Sequence, residues 1–157
     1  MLRTLVAMIA LITLISHANA EPVKAGAELY DFVIKAQSNS EQLRSSLLSM
    51  ITGLPESEAD YANVIYDAAI IADYKVSELS VATTLYTLMV DTRDMATVRA
   101  VINLLAVQTI KTIDSRLNVI NRNMVRLRAP AVILEAQRVR DLLVETRDGL
   151  QKRTPLK

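Results

Sequence analysis

The side chains best suited to catalysis and metal binding are almost absent from this chain. It has 157 residues, no Cys and a single His, His17. Without Cys there is no disulfide, no cysteine–zinc site and no cysteine nucleophile. The only His lies near the N-terminus, so the rest of the chain has no imidazole for a catalytic triad or a metal site. The sequence also has no Walker-A or GxGxxG pattern, which would indicate a phosphate-binding loop. We therefore expect no cofactor, no metal site and no catalytic residue.

Carboxylates are the remaining candidates for acid–base chemistry. Asp67 and Asp73 flank the apolar segment 68–72, but six residues correspond to about 240° around a helix, so the two do not converge. Asp60, Asp67 and Tyr74 share one helix face, which we expect to face solvent. A glycosidase-like carboxylate pair would have to be assembled in three dimensions. A carboxylate-based hydrolase or lyase is thus the alternative function from another class.

Arginine is concentrated near the C-terminus. Residues 111–157 hold eleven basic residues, eight of them Arg, and five acidic ones, whereas residues 21–110 hold six basic and twelve acidic ones. The arginines either complement the acidic half within the fold or present a surface to a protein or an anionic lipid. Nucleic acid is not the expected partner, because no aromatic residues interleave the arginines for stacking. The candidate partner-binding residues are Arg122, Arg126, Arg128, Arg138 and Arg140.

Residues 1–20 have the layout of a secretory signal peptide. Arg3 supplies the positive charge, residues 5–15 form an apolar stretch, and the chain then reads Ala-Asn-Ala up to Ala20, a small-x-small cleavage pattern. The apolar stretch is far shorter than the roughly 20 residues of a membrane-spanning helix. We expect cleavage after Ala20, no stable membrane anchor, and a mature chain, residues 21–157, in the periplasm or outside the cell. The lack of Cys and of Asn-x-Ser/Thr sequons favours a bacterial periplasm.

The elements that must position these side chains are helices. Residues 56–129 contain neither Gly nor Pro, which strand-and-turn proteins need for their turns. Apolar residues spaced alternately by three and four predict amphipathic helices, at about 26–52, 57–90, 92–128 and 130–152. The break between the second and third helices is expected at 91–94, and Ser77 is a candidate for one further break. Gly53 fits a left-handed cap at the end of the first helix.

This pattern predicts an all-α fold. The short connections indicate an antiparallel up-down bundle of four long helices in one domain, or five if the second helix breaks near Ser77. The heptad-like spacing also permits a coiled-coil homodimer.

The expected function is binding rather than catalysis. We predict a non-enzymatic exported protein, adaptor- or chaperone-like, whose partner is another protein. In size and expected location the chain resembles small helical periplasmic chaperones of the Spy type, but it lacks their Leu-Thr-x-x-Gln repeats, so no residue roles carry over. The alternative is a periplasmic inhibitor or immunity protein that neutralises a secreted toxin or enzyme and needs no chemistry of its own.

Overall fold

The computed structural model describes the backbone of residues 2–88 and 95–156, and the side chains of residues 24–88 and 95–156. Within these ranges the chain has four helices and no strand, so the predicted all-α bundle fold is confirmed. The helices are α1 (Leu2–Ile51), α2 (Glu56–Leu88), α3 (Met95–Met124) and α4 (Pro130–Arg153).

The end of α1 differs from the expected glycine cap. Gly53 does not adopt a positive φ, so the predicted left-handed cap is wrong. Instead the N–H of Gly53 bonds to the carbonyl of Met50 at 3.4 Å, and that of Leu54 to Ile51 at 3.1 Å. Hydrogen bonds that reach back three residues tighten the last turn, and this conformation does not require glycine.

α2 is a single helix, and α3 is shorter than predicted. α2 continues unbroken past Ser77, so the described residues contain no fifth helix. The predicted break at 91–94 lies outside the described residues. α3 ends at Met124, short of residue 128, and turns close the chain there before Pro130 opens α4 in the helical first turn that suits proline.

One apolar core joins all four helices. α2 packs against α1 and α3, and α4 packs against α1 and α3 as well. The side chains at three-and-four spacing point inward, and among the fully buried ones are Leu29, Val33, Leu47, Ile65, Leu79, Ile113, Ile120 and Leu150. Burying each such aliphatic side chain stabilises the fold by about 1.5–3 kcal/mol, which makes this core the main source of stability.

The core also contains threonine hydroxyl groups, which donate to carbonyl groups of the preceding turn of their own helices. Thr83 donates to the carbonyl of Ser80 at 2.9 Å, and Thr109 and Thr146 donate to Leu105 and Leu142 at 2.8 Å. A hydroxyl bonded to the preceding turn carries no unsatisfied polar atom into the core.

Among the described residues, α3 is the one helix whose length and composition would allow it to cross a membrane, and 22% of its most apolar stretch is buried in the bundle. Helices in the cores of soluble proteins meet the same criterion.

Candidate protein-binding surface

The five predicted arginines are spread along the chain from the corner where α3 leads into α4 to the middle of α4. Arg122 belongs to the end of α3, Arg126 and Arg128 to the connecting segment, and Arg138 and Arg140 to α4. All are exposed except Arg140, which is half-buried. The two arginines of α4 stand about two to three turns from its start, so the set divides into a corner group and an α4 group.

The two arginines of α4 have counter-charges on their own helix. Arg138 Nη1 lies 3.1 Å from Glu135 Oε2, and Arg140 Nη2 lies 2.7 Å from Asp141 Oδ1. The side chain of Glu135 is only 3% exposed, so Arg138 neutralises a carboxylate that would otherwise be buried alone. These two arginines therefore do not complement the acidic first half of the chain.

The corner arginines are largely without counter-charges. Across residues 24–88 and 95–156, Arg122 and Arg126 have neither an ion pair nor a side-chain hydrogen bond. Arg128 stands beside Glu58 of α2, and its charge contributes to holding the pKa of that carboxyl down. At this corner, Glu58 is therefore the acidic residue of the first half of the chain that lies close to a basic residue of the second half.

Glu58 positions this corner. Its Oε1 accepts hydrogen bonds from the backbone N–H groups of Ala129 and Arg128, each at 2.7 Å. These two bonds, with the charge of Arg128, hold the pKa of Glu58 below its ordinary value of 4.5. A carboxylate from the first turn of α2 thus ties the start of α4 to α2 and fixes the segment that carries Arg126 and Arg128.

A groove that the sequence did not indicate runs between α1 and α4. Its volume is about 710 Å³, and a shallower depression of about 400 Å³ continues it as far as Arg138. The charged side chains along the groove carry both signs: Glu28, Asp31, Glu145 and Asp148 against Lys35, Lys152 and Arg153. Since Arg138 lines the continuation, this groove connects with the α4 group of arginines.

An aromatic ring shapes the groove. Phe32 of α1 lies under the guanidinium of Arg153, whose Cζ is 4.3 Å from the ring centroid, a cation–π contact. The ring rests on Gly149 of α4, where a Cβ would overlap it. Glycine is required at this position by the close approach of the ring, and the pairing joins two helices that are distant in sequence. The one available signal in the sequence was that Phe32 is the only Phe in the chain.

Asp73 is a buried polar residue that the sequence did not single out as such. It is 8% exposed, and its Oδ2 lies 2.6 Å from Nη2 of Arg44 on α1. Burial raises the pKa of Asp73 above its ordinary value, against the opposing pull of Arg44. The three-and-four spacing that links Ala69, Asp73 and Val76 could have placed it inside the bundle.

Asp73 does not face either groove between α1 and α4. Among the described residues no group of three or more His, Cys, Asp or Glu side chains comes close enough together to hold a metal ion.

No known protein family matches the chain, and comparisons with curated proteins and with solved structures find no significant match.

Proposed function

We propose that this chain is an exported, non-enzymatic helical protein that acts by binding another protein, as an adaptor or chaperone. The observation that carries the proposal is the pair of exposed guanidinium groups of Arg122 and Arg126, which have no counter-charge within the described residues. Guanidinium groups bind carboxylates with two parallel hydrogen bonds, and charge complementarity steers partners into register. An acidic face on the partner is the expected counterpart.

Export after removal of residues 1–20 is part of this proposal. The cleavage pattern at Ala20 supports it. Mass spectrometry of the protein recovered from the periplasm is expected to give Glu21 as the first residue, and an intact Met1 would contradict it.

The bundle that presents the arginines is, we infer, of the antiparallel up-down type. In support of this arrangement, rising residue numbers on one helix meet falling numbers on the next. The supporting contacts are Gly26 with Tyr86 and Arg44 with Asp73 for α1 and α2, and Asn103 with Leu156 and Asp114 with Arg147 for α3 and α4. This arrangement brings both connecting segments, 52–55 and 125–129, to the same end, where the corner arginines lie.

The experiment compares two charge reversals of equal size. The mature chain is used to capture partners from periplasmic extract, beside an Arg126→Glu variant. The matched control, Lys24→Glu, reverses one exposed cation that lies away from both the corner and the groove. Loss of a captured protein with the first variant and its retention with the second is expected. Capture of the same proteins by all three would remove the corner from the proposal.

The alternative of a carboxylate-based hydrolase or lyase needs a buried carboxyl with a raised pKa inside a pocket. Asp73 meets the first requirement, but it is held by Arg44 and faces neither groove. This favours a role for Asp73 in packing. A toxin-neutralising inhibitor is a special case of the binding proposal, and the identity of the captured protein separates it from an adaptor.

A further inference from the structure

α2 and α3 each carry a second regular stripe of residues, on the side away from the core. On α2 it follows positions 60, 64, 67, 71, 74, 78, 81, 85 and 88, all exposed except the half-buried Glu78. On α3 it follows positions 97, 101, 104, 108, 111, 115, 118 and 122, all exposed. One stripe is enough to pack a helix into a bundle. The second stripes form a face, the α2–α3 face, that no other described residue covers.

One half of the α2–α3 face is apolar. On α2, Val81, Leu85 and Leu88 are 62%, 57% and 71% exposed, and on α3, Val101 and Leu104 are 45% and 58% exposed. All five lie at the end where α2 finishes and α3 begins. Grouped apolar side chains of this size on a helical face mark an interaction surface, whereas scattered ones do not.

The other half of the face carries charges of opposite sign on the two helices, with the exposed side chains of Val64, Ile71 and Tyr74 beside the acids of α2. α2 contributes Asp60 and Asp67, while α3 contributes Lys111 and Arg122. Along its whole length α2 carries six acidic residues and one basic residue, Lys75.

Two contacts fix the relative levels of the helices. The Thr109 hydroxyl lies 3.2 Å from the Lys75 carbonyl oxygen, and Glu58 reaches the backbone N–H of Arg128. Higher numbers on α3 therefore lie beside lower numbers on α2. The apolar halves of the two stripes share one end, and the charged halves share the other.

We propose that a second copy of this chain covers the α2–α3 face, related by a twofold axis that runs parallel to the helices. An axis in this direction places the same end of each copy side by side, and it packs α2 of one copy against α3 of the other. The apolar halves then meet each other, and Asp60 and Asp67 of one copy meet Arg122 of the other copy. A twofold axis perpendicular to the helices would instead set leucines against carboxylates. Charge and apolar pattern thus select the parallel axis.

This inference does not rest on the proposed function, because it concerns the purified chain alone. The experiment is size-exclusion chromatography with light scattering on the protein as purified from cells. The expected mass is twice that of the single chain, and Leu104→Glu is expected to reduce it to a monomer. The matched control is Leu134→Glu, similarly exposed at 50% but on α4, which is expected to leave the dimer intact. Far-UV circular dichroism verifies that both variants stay helical.

A charge exchange tests the orientation of the axis. Asp67→Arg is expected to weaken the dimer at least tenfold by placing like charges opposite each other, and adding Arg122→Asp to the same chain is expected to restore it. A wild-type protein that is monomeric at about 100 µM, a dimer that resists Leu104→Glu, or the absence of restoration would overturn the proposal. Binding of a monomer to lipid vesicles through Leu104 would assign the face to a membrane and overturn it as well. None of these outcomes depends on Arg126, so failure of the dimer proposal can be distinguished from failure of the capture experiment.

Discussion

Gly26 of α1 and the ring of Tyr86 of α2 share one space between their helices. A Cβ on Gly26 would overlap Cδ1 and Cε1 of Tyr86, and the ring is only 2% exposed, so it has no room to move. Alanine is favoured over glycine inside a helix by about 1 kcal/mol, while overpacking a filled core costs about 1–3 kcal/mol. Gly26→Ala is therefore expected to lower the free energy of unfolding by about 1 kcal/mol net, measured by urea denaturation.

Gly53 provides the control for this substitution. A Cβ added there would have no neighbouring atom within 4 Å, and the residue has no positive φ. Gly53→Ala is expected to leave the free energy of unfolding unchanged or slightly raised, because it only restricts the unfolded chain. Equal losses in the two variants would show that contact with Tyr86 is not what requires glycine at position 26.

At the scale of single elements, the Arg44–Asp73 ion pair joins α1 to α2. Its side chains are 19% and 10% exposed. Removing one member of a buried pair leaves an uncompensated charge, at a cost of about 3 kcal/mol. Arg44→Met is therefore expected to lower the free energy of unfolding by about that amount at pH 7. Replacing both residues, as Arg44→Met/Asp73→Leu, is expected to recover most of the loss.

The pH dependence of the stability of Arg44→Met shows whether its loss of stability comes from an unpaired Asp73 carboxylate or from poorer packing. Since the pKa of Asp73 is raised in the fold, the folded state binds more protons than the unfolded state just above the ordinary value of 3.8. The contribution of Asp73 to stability therefore falls as pH rises through that window. Without Arg44 the window extends to higher pH, so Arg44→Met should gain stability on acidification relative to the double variant. Parallel pH profiles for the two would contradict the assignment.

Helices were predictable from the sequence because their cause is local. The alternation of four and three residues among Leu29, Val33 and Ala36 of α1 reflects the pitch of a helix, and all three are buried. The end of α3 at Met124 was not predictable, because the segment that follows it is held from another helix, where Glu58 binds the backbone N–H groups of Arg128 and Ala129. Periodicity within one segment contains no information about such contacts.

The same limit applies to the candidate sites. The five candidate arginines were named from composition, but their division into neutralised and unneutralised groups depends on Glu135 and Asp141. The groove between α1 and α4 was missed because it depends on Phe32 coming together with Gly149 and Arg153, which are more than 100 residues away in the sequence. Residue types could be read from the sequence, whereas their neighbours could not.

For the whole molecule, the separation of charge along the chain is scarcely used by the ion pairs of the described residues, because each pair that crosses between helices joins residues of the same half. The ion pairs that cross between helices in the described residues are Arg44 with Asp73 and Arg147 with Asp114. The pKa of Arg147 is raised by its hydrogen bonds to Asp148 and Asp114. Most of the acidic surface of α2 and the corner arginines remain outside these pairs. These charged groups are the ones that the proposed second copy and the proposed protein partner would contact.

The contact of Glu58 with the segment before α4 is expected to make the fold of the whole molecule sensitive to acid. Because the pKa of Glu58 is lowered, the unfolded state binds more protons than the folded state just below the ordinary value of 4.5. The stability that Glu58 contributes is therefore present above that value and is lost as pH falls through the lowered pKa. Glu58→Gln is expected to flatten this part of the profile of unfolding free energy against pH. Glu56→Gln, in the same first turn of α2, removes an acid that has no hydrogen bond to residues 128–129 and is the matched control. Equal flattening by both variants would mean that the charge of the first turn of α2, rather than the bonds from Arg128 and Ala129, sets the acid response.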